Sequence, residues 1–134
     1  MLIFGHKYLT GDSFYSISSI NEIENTPSNS TVFFQFSEDK LPILHYAINN
    51  SIDVAIEIDS IKNAIFSEIF RVKYIIAKDL ELAQEIQKIA EHYMFDSKTL
   101  TWIKADDELE KVAKIGLDGV IFRSHIHIPI KSKT

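Results

Sequence analysis

Gln35, Glu57 and Lys104 each stand two residues before a residue suited to capping a helix, and Lys78 and Arg123 end apolar runs of their own. In parallel α/β folds ligands bind beyond the carboxyl ends of the strands, where helix N-termini add partial positive charge. A rim of Gln35, Glu57, Lys78, Lys104 and Arg123 therefore suits a small anionic ligand. A lysine in a dry pocket can lose its proton and form a Schiff base, so Lys78 or Lys104 beside Glu57 is also the minimal equipment of an aldolase-like lyase. The plainer alternative is that these long side chains run out to water from the strand ends, with Glu57 paired to a neighbouring lysine.

Other chemistry-bearing residues are less pointed. His125 and His127 are two apart, so in an extended strand both rings face one side, where they could hold a divalent metal with a carboxylate or His6. Solvated or stacked histidines on an edge strand are the simpler expectation, and no metal is assigned. His45 and His92 fall near the ends of apolar helical stripes, which suits a core-edge or helix-terminal role. Asp106, Asp107, Glu108 and Glu110 crowd one first helical turn, where the helix dipole alone favours carboxylates. The sequence has no G-x-S-x-G elbow, no G-x-x-x-x-G-K-[ST] loop and no G-x-G-x-x-G turn, so it points to no cofactor.

The elements that position these residues follow from periodicity. Val32-Phe33-Phe34, Val54-Ala55-Ile56, Tyr74-Ile75-Ile76-Ala77 and Val120-Ile121-Phe122 are unbroken apolar runs, as in strands covered on both faces, and Leu100-Thr101-Trp102-Ile103 is more mixed. Between them the period becomes helical. Leu41, Leu44 and Ile48 form one stripe, Ile61, Ala64, Ile65 and Ile69 a second, Leu82, Ala83, Ile86, Ile89, Ala90 and Tyr93 a third, and Leu109, Val112 and Ala113 a fourth. Ser37 or Asp39, Asp59, Asp79, and Asp106 or Asp107 are the expected N-caps, Asp107 and Glu110 having capping-box spacing. Gly116 suits a left-handed helix end. Upstream, Phe14 to Ser18 reads as a strand, and Ser19 with Glu22 caps a short helix ending before the loop Thr26-Pro27-Ser28-Asn29-Ser30. The terminal segments, Leu2 to Leu9 and His125 to Ile130, are candidate edge strands.

This alternation predicts an α/β fold, with a mainly parallel sheet of five or more strands and alternating helices. Chain length favours an open doubly wound sheet, and the alternative is a truncated TIM-barrel-like βα array. No linker interrupts the pattern, so residues 1–134 read as a single α/β domain. The 14 basic residues are outnumbered by 19 acidic ones, a net charge of -5 that disfavours nucleic acid as a partner. Without cysteine there can be no disulfide, thiolate metal site or thiol nucleophile. The apolar runs are far shorter than the ~20 residues of a membrane span, and no signal-peptide core precedes Tyr8, so a cytoplasmic protein with no membrane partner is expected.

From Val54 to Phe122, with Asp106-Asp107-Glu108-Leu109 opening a helix and Gly116-Leu117-Asp118-Gly119-Val120-Ile121-Phe122 closing it, the chain resembles the βα units of small TIM-barrel aldolases. That likeness implies a lyase at the strand-end rim. The phrases Thr26-Pro27-Ser28-Asn29-Ser30-Thr31 and Ile86-Gln87-Lys88-Ile89-Ala90-Glu91 resemble those of an uncharacterised family of small bacterial α/β proteins, which implies no activity. Read from its own residues, the chain is expected to be a non-catalytic module that self-associates or binds a protein partner. Phe66 and Phe70 are the interface candidates, because they lie off the main stripe of their helix, and a homodimer is the simplest way to cover them. An enzyme or sensor for a small anionic ligand is the alternative, and whether the chain catalyses anything is left open.

Overall fold

The computed structural model describes residues 1–128. All eight strands are parallel and form one sheet in the order β1-β7-β6-β5-β4-β3-β2-β8. The strands are β1 (Leu2–Phe4), β2 (Phe14–Ser16), β3 (Thr31–Gln35), β4 (Val54–Ile58), β5 (Tyr74–Ala77), β6 (Lys98–Ile103), β7 (Gly119–Phe122) and β8 (Ile126–His127). The helices are α1 (Ile20–Glu24), α2 (Leu41–Asn49), α3 (Ile61–Ile69), α4 (Leu80–His92) and α5 (Leu109–Ile115). The two terminal segments occupy the two edges of the sheet, as their position in the sequence suggests. The last residues of the C-terminal candidate, including Ile130, lie outside the described residues.

Chain connectivity obliges this sheet to curl. Six strand spacings of about 4.8 Å would part β7 from β8 by roughly 29 Å in a flat sheet. Phe122 and Ile126, however, are four residues apart, a reach of at most about 14 Å. The sheet accordingly bends round, barrel-like, and of the two architectures compatible with the sequence it adopts the truncated barrel-like array in place of the open doubly wound one. The chain leaving β7 crosses directly over the end of β1. There Gly5 has φ +96°, and a Cβ built on it would stand 2.8 Å from His125 Cβ and 3.0 Å from Phe122 Cβ, so only glycine lets the two segments pass.

Each face of the sheet has its own core. On the convex face Val32, Phe34, Val54, Ile56, Ile58, Ile75, Ala77 and Val120 pack against Leu44, Ala64, Ile86 and Val112 of the helices. The concave face carries no helix and is filled by side chains: Phe4, Phe14, Phe33, Ala55, Tyr74, Ile76, Leu100 and Ile121. Phe4, Phe14 and Tyr74 form a trio with ring centroids 5.1 to 5.4 Å apart, Phe14 and Tyr74 opening β2 and β5 and Phe4 ending β1. Phe33 meets Trp102 edge-on at 5.6 Å nearer the other end. A concave face packed with aromatic rings is why helices cover only one side.

Helix ends refine the expected caps. Asp79 caps α4 by accepting from Leu82 N–H, Ser19 caps α1, and Gly116 ends α5 at φ +87°. The cap of α3 is Ser60 instead of Asp59, because β4 runs through Ile58 and leaves Asp59 outside the first turn. Ser37 precedes a 3-10 turn, Glu38–Lys40, without a side-chain cap bond. Before α5 a 3-10 turn, Asp106–Glu108, takes the place of the Asp107–Glu110 box, and the Glu108 carboxylate accepts the N–H groups of Lys104 and Ala105. These bonds, from Lys104 first, hold the Glu108 carboxyl below its usual range.

Two stripes also differ. In α3 the buried positions are Ala64 and Ser67, with Ile65 and Ile69 exposed, and in α4 Tyr93 is exposed and the polar Gln87 buried. Small residues let α3 lie close to the sheet, and Ser67 Oγ satisfies itself on Asn63 carbonyl at 2.7 Å. Gln87 pairs with Asp118, which also accepts Thr99 N–H at 2.9 Å. Asp118, in the phrase that resembles aldolase units, therefore ties β6 and α4 together, at the strand end away from the rim. Among the described residues no helix is long and apolar enough to cross a membrane.

Candidate ligand site at the strand ends

Side chains alternate along a strand, so Phe33 and Gln35, Ala55 and Glu57, Leu100 and Trp102, and Ile121 and Arg123 share the concave face, the second of each pair lying nearer the carboxyl end. Register sets Gln35 directly beside Glu57 on adjacent strands. Gln35 Nε2 donates to Glu57 Oε1 at 2.7 Å, and the Trp102 indole N–H donates to Oε2 at 2.6 Å. Arg123 approaches Oε2 at 3.5 Å and lays its guanidinium over the Trp102 ring at 4.0 Å. The Glu57 side chain is 10% exposed. A carboxylate this deep is costly unless its lone pairs are met, and here charge and hydrogen bonds meet them together.

Of the five rim residues expected from the sequence, the fold thus unites Gln35, Glu57 and Arg123. Lys78 lines a 170 Å³ cavity with Gln35, Phe36, Glu57, Ile58 and Asp59. Lys104 is exposed, and its side chain joins no ion pair among the described residues. Glu57 pairs with arginine, amide and indole, not with a lysine. Trp102 is the member that the sequence analysis names only as part of a strand. Its one signal was parity, since it sits two residues beyond Leu100 on the face that Ile121 and Phe33 share.

This arrangement suits binding better than acid–base chemistry. Both Glu57 oxygens are already engaged, so a proton-transfer role would first have to break a bond to Gln35 or Trp102. Lys78 and Lys104 lie in solvent, without the desolvation that frees an amine for Schiff-base chemistry. Arg123 is different: its side chain is 65% exposed, and among the described residues its guanidinium has one long bond, to Glu57, which leaves N–H donors for a ligand.

The histidines go to separate partners. His6, at the carboxyl end of β1, accepts Tyr8 N–H at Nδ1, which leaves Nε2 to donate to Asp106 at 2.9 Å. His125 lies in a 3-10 turn, not on a strand, and meets the Asp12 carbonyl at 2.8 Å, while His127 stacks on Tyr15. His45 packs on Phe70 and His92 on Tyr93. Among the described residues no three histidine, aspartate or glutamate side chains converge as a metal site would need.

A second polar cluster closes the opposite end of the concave face. Tyr74 donates to Asp12 at 2.6 Å, and Lys73 bridges Asp12 at 3.0 Å and Asp53 at 3.4 Å. The Tyr74 bond, then the Lys73 ammonium, outweigh burial and hold the Asp12 carboxyl below its usual value. Burial, reinforced by Asp12, pushes the Tyr74 hydroxyl up to about 12. Burial pulls Lys73 down, but Asp12 and Asp53 prevail and raise it. Every group here is paired, and the cluster fastens the β1–β2 connection to the middle of the sheet.

Of the two interface candidates, Phe66 is 45% exposed and Phe70 is half-buried against the convex core. Compared with known proteins, the chain matches no family model and no curated protein.

Proposed function

We propose that the protein is a non-catalytic, cytoplasmic binding module that takes a small anionic ligand at the carboxyl-end mouth of its curled sheet. The observation that carries this reading is Arg123, held over the Trp102 ring at 4.0 Å with its side chain 65% exposed. Glu57 fixes the pair from below, and Lys78 supplies a second positive charge beside the same carboxylate. A planar guanidinium with open N–H groups matches a carboxylate or phosphate in two-point fashion. Trp102 is the chain's single tryptophan, so its emission reports on this site alone. Titration with butyrate or inorganic phosphate is expected to change that emission saturably, and Arg123→Gln is expected to abolish the change. An unchanged titration in the variant would remove Arg123 from the site.

A second reading, self-association, is supported by a different surface. Ile69 is 66% exposed and Met94 84%, with Ile65 and Tyr93 also exposed. Glu68 accepts the N–H groups of Asp96 and Ser97, which brings the end of α3 beside the turn after α4. Sedimentation equilibrium at micromolar concentration should give a dimer mass that Ile69→Ser with Met94→Ser reduces to a monomer. A monomer in the unmodified protein would refute this reading.

A further inference from the structure

We infer that the cavity beside Glu57 is a second site, for a small amino acid held as its zwitterion, with the carboxylate on Lys78 and the ammonium on Asp59. Arg123 does not line this cavity, so the inference stands apart from the anion site above. Ile58 pairs with Ala77 across β4 and β5, which makes Asp59 and Lys78 neighbours where the two strands end. Both line the cavity, together with Gln35, Glu57 and the apolar Phe36 and Ile58. It therefore lies at the strand carboxyl ends, beside the start of α3, where parallel α/β sheets bind their ligands.

Asp59 and Lys78 carry opposite charges at neighbouring positions, yet among the described residues neither pairs with the other or with any third group. The Asp59 carboxylate has one long bond, accepted from the Asn63 side chain at 3.4 Å. Glu57 commits its oxygens to Gln35 and Trp102 and its charge to Arg123. The open charges of the cavity are thus one carboxylate and one ammonium. A simple anion would leave Asp59 unmet and a simple cation would leave Lys78 unmet, whereas a zwitterion meets both. Gln35 donates its amide N–H to Glu57, so its carbonyl oxygen is a further acceptor for the ligand ammonium. The volume is 170 Å³, room for about six water-sized groups at ~30 Å³ each and well below the ~300 Å³ at which pockets for drug-sized ligands begin. Glycine, alanine and β-alanine are of that size.

The test is calorimetric titration of the full chain carrying Arg123→Gln, which keeps carboxylates off the mouth, with glycine, acetate and methylamine. Glycine is expected to bind saturably. Acetate and methylamine each carry one of the two charges and are expected to bind at least ~10-fold more weakly, the loss that one charge-assisted bond implies. Asp59→Asn or Lys78→Gln, added singly, should each weaken glycine by ~10-fold or more. Both positions are exposed and neither side chain caps a helix, and circular dichroism checks that each variant keeps the fold. Glycine binding that survives either substitution, or that acetate or methylamine matches, would overturn the zwitterion site. So would the absence of binding at millimolar glycine. Butyrate titration of the unmodified protein reads the Arg123 site separately, so failure of one site leaves the other standing.

Discussion

Replacing Tyr74 with phenylalanine tests how the closed end of the concave face is held. Phenylalanine keeps the ring contacts to Phe4 and Phe14, so the substitution isolates one hydroxyl donating to Asp12 at 2.6 Å. The Asp12 side chain is 36% exposed, so solvent screens part of this bond. A hydrogen bond to a charged group contributes about 1.5–3 kcal/mol, so the expected loss is about 1.5–2 kcal/mol at pH 7. The pH dependence has a definite sign. Asp12 is lowered in the fold, so its contribution is present above its ordinary 3.8 and fades as pH falls through the lowered folded value. Tyr74 is raised, so its contribution is present below 10 and fades as pH rises toward about 12. Urea unfolding of both proteins at pH 3, 7 and 10.5 should show the largest difference at pH 7. A difference below ~0.5 kcal/mol at pH 7, or one as large at pH 3, would refute this account of the cluster, given the ~1 kcal/mol typical of a neutral hydrogen bond.

Gly119→Ala should destabilise strongly and release β1, since the added Cβ would lie 2.5 Å from the Leu2 carbonyl oxygen; denaturant unfolding and exchange protection of β1 amides would check this. Ser60→Ala should cost about 1 kcal/mol, whereas Asp59→Ala should cost much less, an order that distinguishes the true cap of α3 in thermal melts. Glu57→Leu should loosen the mouth and shift Trp102 emission, because the indole N–H loses its acceptor and Gln35 its partner; an unshifted spectrum would argue against the hydrogen bond. Asp118→Ala should lower stability by a few kcal/mol without affecting butyrate binding, since it leaves Thr99 N–H and Gln87 unsatisfied far from the mouth.

Most of the fold was legible because strand and helix periods differ and the apolar runs were sharp. Gln35 beside Glu57 followed from strand alternation and adjacency. Arg123 was legible as a rim residue, but its contact with Glu57, like that of Trp102, was not, because they lie three and two strands from Glu57 and reach it only once the sheet bends. The bend depends on β1 and β8 taking opposite edges while the chain crosses at Gly5, a long-range pairing that no local pattern announces. In α3 apolar residues occur on nearly every face, so periodicity could not show that Ala64 and Ser67 would be chosen for close approach to the sheet. The Asp59 cap failed for a local reason: aspartate and serine cap equally well, and the length of β4 decided between them.

The central claim, an anion site built on Arg123, Trp102 and Glu57, is tested most directly by the one tryptophan indole N–H resonance in a proton–nitrogen correlation spectrum. Under titration with butyrate that resonance and the Arg123 Nε resonance should move together and saturate with a single dissociation constant, and Arg123→Gln should leave the indole signal still. Saturable shifts confined to residues away from the mouth, or an indole signal that moves equally in Arg123→Gln, would contradict the claim.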